Sequence, residues 1–472
     1  MLFPTIDFLL FFAVVFPITW SLNDKNTLKK LFLVVISYAF YACWNWRFTF
    51  LLFISSTGNY LACRLLSATT SPQRRSLVTW VAVALNLLGL AYFKYFDFLA
   101  AELTNLAGYF GLDLEINASE VPLPVAISFL TFHGLSYVFD VSRKKVEASK
   151  SLLDVVLYMA FFPHLVAGPI VRAADFLGQL SKKSDPEHID IARSFGLILG
   201  GLVKKVVIAS HIATLFVDPV FVNPSDFGRL DLILAAYGYA IVIYCDFSAY
   251  TDIAIGVANL LGYQFPQNFN QPYRATSLRD FWRRWHMSLS SWLRDYLYIP
   301  MGGDRGGRWA TYRNLMVTML LGGLWHGAGT QFIIWGGIHG GWLALERFLK
   351  ETFGFDSSKG SLALRLLGWF VTFQVVCAAW IFFRCPSSSA AFEYFGLILR
   401  DSGAPLTVTP FVIALMLLGF ATQLTRPERY ESLIRWYADA SLGMKVAVPS
   451  LTILCVGVFG PKGVAPFIYF QF

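Results

Sequence analysis

Two histidines in the second half of the chain stand among residue types that suit group-transfer chemistry. His286 ends the run Phe281-Trp-Arg-Arg-Trp-His286, and His326 lies forty residues later in the apolar, glycine-rich run Gly322-Gly-Leu-Trp-His326-Gly. A neutral imidazole can take the proton of a hydroxyl group as that group attacks an activated acyl carbon, a contribution of roughly 10² to 10⁴ in rate. An ionisable side chain inside an apolar segment is costly, which favours a functional role for His326. A histidine at the edge of an arginine-rich helix, such as His286, is as often simply solvated.

Three other histidines lie in apolar segments, so residue type alone does not choose the base. They are His133, His164 and His339. His339 is thirteen residues from His326, and on one straight helix that spacing would turn the two side chains to different faces. His326 and His339 therefore need not share a role.

A long amphipathic helix is predicted to position His286. Apolar residues recur with helical spacing over five turns from Leu278 to Leu297, at Leu278, Phe281, Trp282, Trp285, Leu289, Trp292, Leu293, Tyr296 and Leu297. Ser277 and Asp280 form a capping-box-like start, and Pro300 ends the helix. With about 100° per residue, His286 falls at the border between the apolar stripe and the arginine face. The pattern predicts a helix at the membrane interface with His286 facing water or substrate.

The composition identifies an integral membrane protein. Of the 472 residues 56% are hydrophobic and 14% charged, which does not suit a water-covered globule. Because lipid offers no hydrogen-bond partners, every backbone group must be paired internally, and an all-α helical bundle follows. We predict one polytopic membrane domain over residues 1–472, with eleven or twelve transmembrane helices plus re-entrant and interfacial helices.

Charge and cysteine usage narrow the topology and the kind of site. The segment from Arg274 to Arg313 holds eight arginines and three aspartates, most of the chain's net charge of +8, so this loop is predicted to face the cytoplasm. Its guanidinium groups suit phosphates. The six cysteines show no CxxC spacing and no paired loop pattern, which predicts neither a disulfide framework nor a metal site.

Polar residues in two further stretches have open interpretations. Leu152–Val171 contains prolines and glycine, so we predict a bent or re-entrant piece. Asp246 and Asp252 lie in a long apolar stretch, where they act either as a polar clamp between helices or as part of the wall of a reaction chamber. Lys204 and Lys205, near the middle of another helix, either support the fold or line a wet cavity.

Several motifs together resemble the membrane-bound O-acyltransferase family, in particular its bacterial branch that O-acetylates polysaccharides such as alginate and cellulose. They are Asn268-Phe-Asn-Gln-Pro-Tyr-Arg, Ser277-Leu-Arg-Asp-Phe-Trp-Arg-Arg-Trp-His286, Gly323-Leu-Trp-His326-Gly, Phe161-Phe-Pro-His164-Leu-Val-Ala-Gly-Pro-Ile and Tyr244-Cys-Asp-Phe-Ser-Ala-Tyr-Thr-Asp. The resemblance covers most of the chain, with a signature core at about 120–345. It implies that His326 is the catalytic histidine and that His286 assists.

The resemblance also implies a substrate path and partners. The acyl group is expected to enter from the cytoplasm, with acetyl-CoA as donor and no permanently bound cofactor or metal, and to leave on an acceptor across the membrane. Candidate substrate-binding residues are Asp246, Asn270, Arg279, Arg283, Arg284, Trp285 and Trp325. Expected partners are membrane lipid and periplasmic acetyltransferase or polysaccharide-synthesis proteins, and no nucleic acid.

The resulting hypothesis is an inner-membrane O-acetyltransferase that serves an exopolysaccharide. Two alternatives remain. One is transfer of D-alanyl or another acyl group to a teichoic acid, a lipid or a protein, and the other is a non-catalytic channel for an acyl donor. Because no nucleophile with an adjacent base is evident in the sequence, direct transfer is favoured over an acyl-enzyme.

Overall fold

The protein is all-α. The computed structural model describes residues 3–112, 122–357, 360–400, 403 and 405–460, and these contain helices and connections but no strand. Six helical segments are long and apolar enough to cross a membrane, or seven if a bent pair near the C-terminus counts as one span. The six are Asn26–Asn45, Pro72–Tyr109, Ile191–Val222, Arg229–Leu260, Leu362–Arg384 and Leu442–Phe459. The chain is thus a multi-pass membrane protein, and the total of eleven or twelve crossings stays a prediction.

The chain divides into two compact units, and the first comprises residues 1–189 with 257–265. Its α-helices are α1 (Ile6–Ser21), α2 (Asn26–Asn45), α3 (Phe48–Ala68), α4 (Pro72–Leu90), α5 (Phe96–Tyr109), α6 (Ile127–Ser142), α7 (Leu152–Ala160), α8 (Phe162–Leu165) and α9 (Ala173–Leu180). A π-helical turn, Ala91–Tyr95, links α4 to α5, and a 3₁₀ turn, Pro186–His188, follows α9. Large apolar side chains remain exposed along several of these helices, for example Trp80 and Leu85, which suits a lipid-facing surface.

The predicted bend in Leu152–Val171 is confirmed. Helix α7 ends at Ala160, and the four-residue α8 has Pro163 in its first turn. A proline is tolerated there because the N–H groups of the first turn make no hydrogen bonds within the helix. Every residue from Val155 to Val171 is buried. Non-helical backbone at this depth is tolerated because protein surrounds it.

The second unit comprises residues 190–256 with 266–472. Its α-helices are α10 (Ile191–Leu202), α11 (Ser210–Ile212), α12 (Asp218–Val222), α13 (Arg229–Leu260, whose last residues from Val257 belong to the first unit), α14 (Leu278–Trp282), α15 (Met287–Leu293), α16 (Gly307–His326), α17 (Thr330–Phe353), α18 (Leu362–Arg384), α19 (Ser388–Arg400), α20 (Pro410–Leu424), α21 (Pro427–Asp439) and α22 (Leu442–Phe459). Short π-helical turns lie at Val203–Ala209, Ala213–Val217 and Arg294–Tyr298, and 3₁₀ turns at Pro224–Asp226 and Pro272–Arg274.

Glycines bring α16 and α17 together as a tight hairpin. A Cβ atom added to Gly323 would lie 2.2 Å from the carbonyl oxygen of Phe332, and one added to Gly336 would lie 2.4 Å from the carbonyl oxygen of Met319. Small residues at such positions let two helix backbones approach closely. Since His326 is the last residue of α16, this hairpin fixes the depth and direction of its side chain.

The predicted continuous helix from Leu278 to Leu297 is wrong. The chain forms α14, breaks over residues 283–286, and resumes as α15 and a π-helical turn. The break is held by Asn268, whose main-chain oxygen accepts the N–H of Met287 at 2.9 Å and whose side-chain oxygen accepts the N–H of Ser288 at 3.1 Å. These bonds satisfy the N-terminal donors of α15, as a helix start requires.

Candidate active site

His326 occupies an aromatic box at the turn of the α16–α17 hairpin. Its side chain is buried, and its ring centroid lies 4.8 Å from Trp325, 5.0 Å from Trp335 and 5.1 Å from Phe383. All three rings stand steeply to the imidazole, between 68° and 76°. The box keeps bulk water away from the ring. Because water does not screen a charge that develops there, its energy depends mainly on the few groups in contact with the ring.

The position of His326 at the end of α16 suits a proton acceptor. The last carbonyl groups of a helix carry a partial negative charge, which favours a cation near the C-terminus by about 0.3–2 kcal/mol. The imidazolium that forms when His326 takes a proton would gain this stabilisation. Helix geometry therefore agrees with the predicted role as general base.

His286 lies at the start of α15 and is fully buried. The sequence predicts a side chain that faces water or substrate at a helix border, and exposure to bulk water is wrong because His286 is 0% exposed, whereas contact with substrate stays a prediction. It caps α15 with φ 41° and ψ 56°, in the left-handed region that a side chain enters at a cost of about 1–3 kcal/mol. Such strain is held in place only when neighbouring contacts require it, and these neighbours are Asn268 and Phe247, whose ring centroid is 4.7 Å away.

Asn268 fixes the tautomer of His286. The side-chain oxygen of Asn268 accepts the main-chain N–H of Ser288, which identifies it as the oxygen and not the nitrogen of the amide. The same oxygen lies 3.3 Å from Nδ1 of His286, so Nδ1 carries the proton and donates. Nε2 of the neutral ring then presents a lone pair, and it has no hydrogen-bond partner among the described residues. Burial lowers the pKa of His286 to about 3, which keeps this neutral form at physiological pH.

The structure brings the two predicted catalytic histidines into one aromatic cluster. Trp325 contacts both, with ring centroids 6.2 Å from His286 and 4.8 Å from His326. Sequence spacing alone gave no such relationship, because forty residues and a break in the helix separate the two imidazoles. Trp325, which is predicted to bind substrate, therefore contacts both the candidate base and its candidate helper.

His339 belongs to the same cluster from the other side of Trp335. Its ring centroid lies 4.5 Å from Trp335, and Trp335 lies 5.0 Å from His326. His339 is 0% exposed, and its Nδ1 accepts the indole N–H of Trp282 at 3.3 Å. His326 and His339 lie on different helices, α16 and α17, and the indole of Trp335 contacts both imidazoles.

A large basic pocket opens beside this cluster. Its volume is about 1690 Å³, and its wall includes Met287, the residue after His286, and Thr318 and Met319 on α16. The histidines themselves do not line it. Basic side chains outnumber acidic ones in the wall. The nine basic residues are Arg274, Arg279, Arg283, Arg284, Arg294, Arg305, Arg347, Lys350 and Arg365, and the five acidic residues are Asp280, Asp304, Glu346, Glu351 and Asp356. The pocket is therefore suited to a large anionic ligand.

The three predicted arginines of this pocket differ in their availability. Arg284 is engaged, since its Nε donates to both carboxylate oxygens of Asp280 at 3.0 Å. Arg279 and Arg283 are exposed in the pocket wall and make no ion pair with any described residue. A phosphate could bind them without first displacing a carboxylate.

The other predicted substrate-binding residues lie outside the pocket wall. Asn270 is exposed, and its main-chain N–H donates to the Arg284 carbonyl at 2.9 Å, while Nη1 of the Arg284 side chain donates to the Asn270 carbonyl at 3.3 Å. Trp285 is 1% exposed and packs against Phe281 and Trp380. Asp246 is buried in an ion pair with Lys205 at 2.6 Å.

The Asp246 pair has a counterpart six residues further along α13. Lys204 pairs with Asp252 and donates to the hydroxyl of Ser248 at 2.9 Å. Consecutive lysines thus meet two carboxylates of one helix, which is the geometry of the clamp alternative. None of these four residues lines the basic pocket.

Three residues that contribute to the site were not predicted as site residues from the sequence. Asn268 orients His286, Trp335 contacts His326, and Glu346 accepts the N–H groups of Leu278 at 2.6 Å and Arg279 at 3.2 Å. Glu346 thereby fixes the start of the helix that carries the pocket arginines. Its distance of 68 residues from Leu278 in the chain left no local signal. Among the described residues, no group of three or more His, Cys, Asp or Glu side chains could hold a metal ion.

Comparison with known proteins identifies several relatives of this chain. The protein is similar over its whole length to a probable alginate O-acetylase AlgI from Pseudomonas putida, with 36% identity and full coverage of both chains. It is 35% identical to a peptidoglycan O-acetyltransferase from Helicobacter pylori over 78% of this chain and 73% of the relative. A teichoic acid D-alanyltransferase from Bacillus subtilis is 30% identical over 55% of this chain and 68% of the relative.

The family model for membrane-bound O-acyltransferases matches residues 123–389. That range contains both buried histidines, the aromatic cluster around them and the whole basic pocket. The predicted family is confirmed: this chain belongs to the membrane-bound O-acyltransferase family and is an O-acyltransferase.

Proposed function

We propose that this protein transfers acetyl groups from cytoplasmic acetyl-CoA, across the bacterial inner membrane, for the O-acetylation of an exopolysaccharide. The observation that carries the proposal is the adjacency of the arginine-walled pocket and the buried histidine cluster, which share α14, α15 and α16. A pocket that collects an anionic donor next to a water-excluded base is what acyl transfer to a poor nucleophile needs.

The pocket supports a phosphorylated thioester as the donor. Its volume exceeds the roughly 300–1,000 Å³ typical of drug-sized ligands, and it is walled by arginines rather than only by apolar side chains. Arg279 and Arg283 bind phosphate groups, and the uncharged end of the donor points toward the histidines. The excess of arginine between residues 274 and 313 supports a cytoplasmic mouth, from which the donor enters.

The chemical step is a direct transfer. An acceptor hydroxyl attacks the thioester carbonyl carbon while His326 takes the hydroxyl proton, and a C–O bond forms. The carbonyl then re-forms, the C–S bond breaks, and the leaving thiolate recovers the proton from His326. His286, with its lone pair at Nε2, accepts a hydrogen bond from a reacting group and holds it in line.

The acceptor is proposed from the relatives. The similarity that spans most or all of the chain is to proteins named for alginate and peptidoglycan O-acetylation, both of which modify glycans, whereas the D-alanyltransferase similarity spans 55% of the chain. We therefore favour a glycan hydroxyl, reached directly or through a periplasmic acetyltransferase partner. Alginate and cellulose are the leading candidates for the polymer.

The experiment compares envelope polymers from a deletion strain that carries wild-type, His326→Ala or His188→Ala protein. His188 is exposed and lies outside the site, so it controls for loss of a histidine. Wild-type and His188→Ala protein should restore polymer acetyl esters, whereas His326→Ala protein should insert, accumulate and restore none. If the deletion strain loses D-alanyl ester and keeps its acetyl ester, the transferred group is D-alanyl and not acetyl. Full acetylation with His326→Ala would favour a non-catalytic channel.

A further inference from the structure

Two buried N–H groups on α17 lie in the aromatic cluster that contains the candidate base. Trp335 and His339 lie one helical turn apart and are both 0% exposed, with ring centroids 4.5 Å apart and ring planes at 52°. Trp335 is also 5.0 Å from His326, so the pair borders the aromatic box. Neither residue takes part in the transfer step described above.

The tautomer of His339 follows from its partner. The indole nitrogen of Trp282 donates to Nδ1 of His339 at 3.3 Å, and an indole nitrogen can only donate. Nδ1 must therefore be the unprotonated nitrogen of a neutral ring, and the proton resides on Nε2. His339 thus presents an N–H donor in the direction away from Trp282.

Both donors lack an acceptor. Neither Nε1 of Trp335 nor Nε2 of His339 has a hydrogen-bond partner within the part of the chain that the structure describes. Buried polar groups in folded proteins are nearly always paired, and each exception calls for an explanation. Two unpaired donors in adjacent rings, one of which lies 5.0 Å from the proposed base, point to an oxygen atom that a substrate supplies.

We propose that Trp335 and His339 form the subsite for the acyl carbonyl oxygen and stabilise the negative charge that this oxygen gains during transfer. The inference rests on the proposed thioester donor. When the acceptor hydroxyl attacks, the C=O electron pair moves onto oxygen, and the two N–H groups donate to that oxyanion. The pair returns to carbon as the C–S bond breaks, so the donors bind the oxygen in the ground state and more strongly in the transition state.

This chemistry suits the two residues. The donors are neutral N–H groups, which need no proton transfer and leave the base function to His326. The contact with Trp282 holds His339 in the donating tautomer, and Trp282 itself lines the basic pocket. A donor bound in the pocket therefore sits against the residue that orients one half of the subsite.

The test uses the full-length protein in detergent with acetyl-CoA and a soluble glycan acceptor. Trp335→Phe removes the N–H but keeps an aromatic ring, and it should lower kcat by about 10²–10³ and raise KM for acetyl-CoA by about tenfold, with the thermal midpoint nearly unchanged. His339→Gln retains a side-chain donor and should keep more activity than His339→Phe. Trp309→Phe, at an 85% exposed position, is the control. Wild-type kcat in Trp335→Phe would overturn the proposal.

A binding measurement separates this subsite from the donor assignment. Two unreactive coenzyme A thioethers are compared, acetonyl-CoA, which has a carbonyl group, and S-ethyl-CoA, which has none. Wild-type protein should bind acetonyl-CoA about tenfold more tightly or better, and Trp335→Phe should abolish the difference. Equal affinity for both in the wild type would overturn the carbonyl subsite alone, whereas failure of both to bind would overturn the coenzyme A donor together with it.

Discussion

The imidazole ring of His286 lies 6.2 Å from the indole ring of Trp325, the residue immediately before His326. One tryptophan therefore packs against both histidines, and the orientation of one imidazole affects the surroundings of the other. Because His286 is held in a left-handed backbone conformation by Asn268, the geometry of the whole cluster depends on a residue eighteen positions before His286. This relationship leads to the first prediction.

Replacement of Asn268 by alanine should lower kcat in a protein that still folds. His286 would lose the acceptor that keeps its proton on Nδ1, and the lone pair at Nε2 would no longer be fixed. By analogy with residues that orient a ligand or base, we expect a loss of about 10–100-fold in kcat. Ser288→Ala leaves the Asn268 oxygen in place and should lose less. Equal losses in the two variants would contradict the assigned role.

The pH profile provides a second measurement on His286. Burial lowers its pKa to about 3, below the value near 6.5 of an exposed histidine, so the neutral form persists as pH falls through 6 and 5. The acid limb of kcat for the wild type should therefore not arise from His286, and His286→Gln should lower kcat without moving that limb. A shift of the acid limb in this variant would show that His286 titrates in the working range.

The α16–α17 hairpin makes a prediction with a matched control. Gly323→Ala places a Cβ 2.2 Å from the carbonyl oxygen of Phe332, whereas Gly337→Ala meets nothing closer than a Leu320 methyl at 3.9 Å. Backbone cannot yield as a flexible side chain does, so we expect Gly323→Ala to destabilise by about 1–3 kcal/mol and to displace His326. Thermal unfolding in detergent and acetyl transfer measure the two effects. Similar behaviour of both variants would disprove the close packing.

The pocket arginines predict a change in donor affinity. Arg279→Gln and Arg283→Gln should each raise KM for acetyl-CoA, since each removes a positive charge from the pocket wall. The salt dependence of binding should weaken in both, because fewer charges remain to be screened. Arg74→Gln is the control, because Arg74 is exposed and does not line the pocket. Unchanged KM in both pocket variants would place the donor elsewhere.

The Lys205–Asp246 pair distinguishes the two interpretations of the buried carboxylate. If the pair is a clamp, Asp246→Asn should destabilise strongly, by about 3–5 kcal/mol, because it removes the carboxylate charge that pairs with a buried lysine. The double replacement of Asp246 and Lys205 by leucine and methionine should then recover both folding and activity. A double variant that folds and accumulates but transfers no acetyl group would instead assign Asp246 to the reaction chamber.

The sequence predicted the features that depend on composition and local pattern. Membrane insertion, the all-α class, the arginine-rich segment and the bend near Pro163 all follow from hydropathy, charge and backbone chemistry within a short window. The motifs around His286 and His326 led to the correct family.

The features that the sequence did not predict depend on contacts between residues that are far apart in the chain. The spacing of apolar residues predicts one helix through His286, but Asn268 supplies acceptors that break it, and this competition is invisible in a periodic pattern. Trp285 was predicted to bind substrate, yet it is packed against Phe281 and Trp380 from another helix. The significance of Trp335 emerged only when α17 was folded against α16.

Acetyl transfer by the purified protein tests the central claim most directly. Wild-type protein in detergent, given acetyl-CoA labelled in the acetyl group and the polymer whose acetylation is lost in the deletion strain, together with its periplasmic partner where one is required, should release coenzyme A and form labelled ester in equal amounts. His326→Ala should bind acetyl-CoA with near wild-type affinity and form ester at a rate lower by about 10²–10⁴. Ester formation by His326→Ala at the wild-type rate would contradict the assignment of His326 as the base.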